Sequence, residues 1–79
     1  GTKFYFHEII GFQLNDENFG PVGNVKGVND STAQALFEVD RNGIEILIPM
    51  NDDFITNLDR NAKTITVNTP SGLIELYLE

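Results

Sequence analysis

Two apolar runs flanking Asp40-Arg41-Asn42-Gly43 restrict the fold more than any other feature of the chain. Ala35, Phe37 and Val39 share one face of the run from Ala33 to Val39, and Ile44, Ile46 and Ile48 share one face of the run from Ile44 to Met50. A period of two is that of an extended strand, and the glycine supplies the left-handed residue that closes a hairpin loop. Leu36 and Leu47 fall on the opposite faces, so the hairpin is expected to be covered on both sides. One side would be a barrel interior, and the other would lie under terminal segments or a further domain. The pattern does not choose between Leu36 and Phe37 for the interior. Pro49 ends the second run, because proline cannot donate to a central ladder.

The rest of the chain divides into pieces of the same size. Ile10, Phe12 and Leu14 alternate with Gly11, Gln13 and Asn15 and predict a first strand, followed by a turn from Asp16 to Pro21. Val22, Val25 and Val28 are spaced by three, with Gly20, Gly23 and Gly27 interleaved. That spacing suits neither a flat strand nor a helix, but it suits a strand bent by a bulge at a barrel corner. Phe54, Thr56 and Leu58 predict a fifth strand, and Thr64 to Asn68 predict a sixth across the loop Asp59-Arg60-Asn61-Ala62-Lys63. After Thr69-Pro70-Ser71-Gly72, the spacing of Leu73, Leu76 and Tyr77 allows a short closing helical turn, with Thr69 as its cap and Pro70 at its first position. About six strands at a spacing of roughly 8 to 12 residues predict an all-β fold, a small antiparallel β-barrel, and leave no room for crossover helices.

Seventy-nine residues make one domain, residues 1–79, near the lower size limit for folding without staples. There is no cysteine, which excludes disulfides and thiolate metal sites. No apolar run approaches the roughly 20 residues a membrane helix needs. The first residues are Gly1-Thr2 rather than methionine, which suggests either an expression scar or an excised domain, and part of a longer protein is expected. A net charge of −7 repels phosphate and favours a basic protein partner, although surplus acid also simply keeps a small domain soluble.

Little in the sequence points to chemistry. His7 is the only histidine, Ser31 and Ser71 both fall in turns, and there is no nucleophile elbow. Asp40-x-Asn42 and Asn51-Asp52-Asp53 do not continue into a calcium loop and read as turn residues. The glycines from Gly20 to Gly27 lack the lysine of a phosphate-binding loop. Hence no catalytic residue, cofactor or metal is expected. What remains is the aromatic run Phe4-Tyr5-Phe6, accompanied only by Lys3, too few cations for a nucleic-acid groove. The residues alone leave two readings open: packing on the barrel, or contact with a protein partner.

The stretch Phe4-Tyr5-Phe6-His7-Glu8-Ile9-Ile10-Gly11 resembles the start of the C-terminal PRC-barrel domain of the RimM family of ribosome maturation factors. Gly20-Pro21-Val22-Gly23-Asn24-Val25, Ala33-Gln34-Ala35-Leu36, Leu47-Ile48-Pro49 and Pro70-Ser71-Gly72-Leu73 extend the resemblance along almost the whole chain. It implies the C-terminal part of a two-domain cytoplasmic protein that is not an enzyme. Such a protein assists maturation of the small ribosomal subunit and its rRNA, and binds the nineteenth small-subunit ribosomal protein, in the subunit head. The residues themselves, acidic overall and without a long apolar run, lead to the expectation of no direct nucleic-acid binding by this domain alone and no membrane. The family's paired tyrosines fall on Phe4 and Tyr5, which become the expected protein-binding residues; phenylalanine at the first keeps the apolar area and loses a hydroxyl. Phe6, Ile9 and Ile10 would then anchor the segment to the barrel. PRC barrels outside ribosome assembly, as in photosynthetic reaction-centre subunits, leave a general docking module as the alternative.

Overall fold

The central hairpin turns in two residues, not four. Asn42 and Gly43 both have positive φ, 52° and 90°, the type of turn whose twist matches that of paired strands. Asp40 and Arg41 therefore join the ladder, with Arg41 opposite Ile44. In the computed structural model, which describes residues 4–79, strands β3 (Leu36–Arg41) and β4 (Ile44–Pro49) form one end of a six-stranded sheet. The other strands are β1 (Gln13–Asp16), β2 (Gly20–Asn29), β5 (Ile55–Asp59) and β6 (Thr64–Val67). A 3₁₀ turn, Phe6–Ile9, precedes them, and helix α1 (Leu73–Tyr77) closes the chain.

The strands lie in the order β4-β3-β2-β1-β6-β5. All pairs are antiparallel except β1 with β6, which run parallel. The sheet is thus mixed rather than wholly antiparallel, and no ladder joins β4 to β5 among the described residues. Side-chain alternation carries no information about strand direction. The parallel pair arises because the β5–β6 hairpin returns to β1 after a long excursion, as parallel pairing requires. β4 lies at an edge of the sheet, where Pro49 is tolerated, and α1 packs against that strand.

Phe37, Val39, Ile46 and Ile48 all face the core and are fully buried, which assigns Phe37 rather than Leu36 to the interior. Leu14, Val22, Val25, Ile65 and Val67 complete the same core. The glycine-rich strand bends as its spacing predicts: the β2–β3 register slips between Val25 and Gly27, and the β1–β2 register between Leu14 and Asn15. Gly23 is required by proximity, because a Cβ there would stand 2.3 Å from the carbonyl oxygen of Asp40.

Three expectations fail for local reasons. Ile10 is exposed and Ile9 is buried, because Gly11, at φ 91°, turns the chain before the ladder begins at Gln13. In β5 a bulge between Ile55 and Asn57 shifts the phase, so Ile55 and Leu58 face inward while Thr56 is exposed. α1 begins after Gly72, at φ 89°, rather than after Thr69. Its inward residues are Leu73 and Ile74, with Leu78 packed on the core just past its end, while Leu76 and Tyr77 are exposed.

Thr69 does not cap α1 because it is committed elsewhere. Its backbone N–H and its hydroxyl both donate to Oδ2 of Asp16, at 3.0 and 2.6 Å. The other carboxylate oxygen accepts the N–H groups of Asn18, at 2.8 Å, and Phe19, at 3.0 Å, which forms the β1–β2 turn. Burial alone would raise the Asp16 carboxyl, yet the hydrogen bonds from Thr69, Phe19 and Asn18 outweigh it and hold the group below its ordinary value. Among the described residues, Asp16 and Thr69 are the two buried polar ones.

Replacing Asp16 by Asn turns an amide towards donors and should cost about 2 kcal/mol in denaturant unfolding at neutral pH. Because the folded carboxyl titrates below its unfolded value, its contribution is complete above that value. It is lost as pH falls through the folded value, so the gap between wild type and Asp16→Asn should narrow in acid. Gly23→Ala, forced against the Asp40 carbonyl, should lower stability by about 1–3 kcal/mol and lower the thermal midpoint with it.

Candidate functional site

The N-terminal segment is built by three attachments to the barrel. Ile9 enters the core completely, and the Phe12 N–H donates back to its carbonyl at 3.0 Å. The Gly11 N–H donates to the Val25 carbonyl of β2 at 2.7 Å. Glu8 provides the third. Its backbone N–H donates to the Tyr5 carbonyl at 3.0 Å, while its Oε1 accepts the Tyr5 N–H at 3.2 Å. Arg60, from the β5–β6 turn, closes on the same carboxylate through Nε at 2.6 Å and a terminal nitrogen at 3.4 Å. The Arg60 guanidinium holds the Glu8 carboxyl below its ordinary value. A fork of this kind adds direction to charge, so it orients the turn even where solvent weakens its energy.

On this frame the two adjacent aromatics separate. Phe4 is half-buried and stacks on Phe37, with ring centroids 6.2 Å apart and planes 25° apart. Tyr5 is 75% exposed and stacks on His7, at 5.8 Å and 15°. Phe4, Tyr5, Glu8 and Arg60 line a surface depression of about 400 Å³. Both expected site residues therefore stand at one depression, one facing the core and the other facing solvent.

Phe6 and Ile10 do not anchor the segment as expected. They are 44% and 53% exposed, and Ile9 alone supplies the buried anchor. Sequence reasoning could not separate adjacent Ile9 and Ile10, because the choice depends on how the 3₁₀ turn meets β2.

Both arginines are engaged within the domain. Arg41 donates to the carbonyls of Pro21 and Val22, at 2.7 and 3.1 Å, and its guanidinium lies 5.1 Å from the centroid of the Phe19 ring. Arg60 is paired with Glu8. Against a net charge of −7, this leaves no basic groove among the described residues. Nor do the described residues hold a group of three or more candidate metal-binding side chains. No described helix is long and apolar enough to cross a membrane.

Comparison with known proteins gives a consistent picture. A family model described as the RimM PRC barrel domain matches residues 6–73. Among curated proteins, the ribosome maturation factor RimM of Christiangramia forsetii is 58% identical over 76 residues, covering 96% of this chain and 43% of the relative. The protein of the same name from Flavobacterium psychrophilum is 50% identical over 78 residues, covering 99% of this chain and 45% of its own length. The chain thus spans less than half the length of these curated relatives. A crystal structure of a 16S ribosomal RNA processing protein, RimM, from Pseudomonas aeruginosa superposes with a TM-score of 0.74 at 18% identity. It covers 90% of this chain and 46% of the other, which establishes likeness of fold.

The separation of the two aromatics has a measurable consequence. Phe4→Ala should destabilise the domain by about 2 kcal/mol, less than a fully buried phenylalanine would cost. Tyr5→Ala should leave stability within about 0.5 kcal/mol of wild type, as for an ordinary surface substitution. Thermal unfolding of the two variants side by side checks both values.

Proposed function

The chain belongs to the RimM PRC barrel family, and from that membership we propose that it acts in maturation of the small ribosomal subunit as a protein-binding domain without enzymatic activity. Its partner in this reading is the nineteenth small-subunit ribosomal protein, a basic protein of the subunit head, met on the immature subunit in the cytoplasm. Phe4 and Tyr5 carry the contact with different tasks. Phe4 fixes the segment by stacking on Phe37, and Tyr5 offers its ring to the partner.

The observation that carries the reading is an exposed tyrosine on a firmly attached turn of a strongly acidic domain. Tyrosine buries a large area with few rotors and so serves well as an interface anchor. The negative field draws a basic protein while discouraging contact with bare rRNA. Support comes also from the relatives, which carry the name ribosome maturation factor, and from the Pseudomonas structure, described as a 16S ribosomal RNA processing protein.

Titration of the purified nineteenth small-subunit ribosomal protein against the chain tests the proposal. Binding should weaken about tenfold or more in Tyr5→Ala, the loss expected of an anchor residue. Association should also slow as salt is raised, because steering by opposite charges is screened. Undiminished binding by a Phe4→Ala/Tyr5→Ala double variant would remove these residues from the interface.

A further inference from the structure

A cation beside the contact residue of an acidic domain needs a reason. Arg60 lines the same depression as Phe4, Tyr5 and Glu8, where it works against the attraction that the rest of the domain exerts on a basic partner. Stability does not account for it. Half of the Arg60 side chain and 29% of the Glu8 side chain are exposed, and ion pairs this open to solvent contribute little to folding.

The pair instead lies on the path that fixes Tyr5. Glu8 and Tyr5 are tied twice, by the Glu8 N–H to the Tyr5 carbonyl and by the Tyr5 N–H to Oε1 of Glu8. Arg60 holds that carboxylate through Nε at 2.6 Å, from a position 52 residues away in sequence. The loop that carries Arg60 is itself secured. Oδ1 of Asp59 accepts the N–H groups of Asn61 and Ala62, each at 3.0 Å, and the Lys63 carbonyl accepts the Gln13 N–H of β1 at 2.9 Å. Phe4 on Phe37 and Ile9 in the core hold the two ends of the turn. Between them, the shared carboxylate links the Tyr5 backbone to a fixed point on the sheet.

We infer that Arg60 is a positioning residue for the Tyr5 contact: through Glu8 it holds the turn that presents the Tyr5 ring, without itself meeting the partner. The inference rests on the reading above, that Tyr5 meets a basic protein. A side chain whose backbone is already ordered loses less freedom on binding, so the clasp acts on affinity rather than on folding. It also reverses the sign expected from charge. Removing Arg60 makes the domain more negative, which by long-range attraction alone would strengthen the binding of a basic partner.

The test titrates purified nineteenth small-subunit ribosomal protein against the unsubstituted chain, Arg60→Gln, Glu8→Gln, the double variant and Lys26→Gln. Lys26 is exposed on β2, and its loss changes the net charge as the loss of Arg60 does. Affinity should fall about threefold to tenfold in Arg60→Gln and in Glu8→Gln, while Lys26→Gln binds no more weakly than wild type. The double variant should lose no more than either single one, because both break the same clasp. Thermal midpoints should stay near wild type, and the NMR order parameters of the Tyr5 and Phe6 amides should drop in the clasp variants. Wild-type or stronger binding by Arg60→Gln would overturn the inference while the function stands. A loss in Arg60→Gln with wild-type binding by Glu8→Gln and unchanged order would make Arg60 a direct contact and overturn it as well. Absence of binding by the unsubstituted chain would overturn the functional reading, and the inference with it.

Discussion

The carboxylate of Asp16 is the point on which the barrel's connections depend. It stands at the end of β1, where that strand has β2 on one side and β6 on the other. One oxygen shapes the turn into β2, and the other receives Thr69 as the chain leaves β6 for α1. A single buried anion thereby joins segments 53 residues apart in sequence. The group is costly to bury and is stable only because its hydrogen bonds are complete. Among the described residues no buried side-chain nitrogen or oxygen lacks a partner, so the small core carries this charge without a second polar defect.

The barrel also needs curvature, which the glycine-rich strand provides. Slips of register in the β1–β2, β2–β3 and β5–β6 pairs let a short sheet coil around a core of mainly β-branched residues with Phe37 among them. Gly23 lets β2 approach Asp40 where any side chain would collide. The same curvature exposes the hairpin's inner face to the N-terminal segment, so that Phe4 can stack on Phe37. The 3₁₀ turn is therefore an outward continuation of the core rather than a loose extension. Its outward residues, Tyr5 above all, are held in place by contacts made on its inner side.

Most of the strand plan was legible from alternation and glycine placement. The hairpin around Asn42-Gly43, the bend in β2 and the all-β class follow from residue types whose backbone preferences are local. The aromatic run stood out because nothing else in the chain offered chemistry or a basic groove, but its residues alone left packing and contact open, and the choice of Phe4 and Tyr5 came from the family resemblance. What was not legible was the phase of each segment across a bulge or a left-handed glycine. Gly11 exchanges Ile10 for Ile9, and the bulge in β5 exchanges Thr56 for Ile55, because one displaced residue inverts every side chain beyond it.

By itself the sequence determined that this chain would form short strands around one small core, carry a strong negative charge, and present aromatics near its start. Only the tertiary structure decided that β1 and β6 run parallel, that Thr69 serves Asp16 instead of α1, and that Phe4 packs while Tyr5, Phe6 and Ile10 stay exposed. The physical reason is one of range. Backbone preference and periodicity act over a few residues, whereas strand direction, a shared buried carboxylate and the facing of a short turn depend on partners tens of residues away.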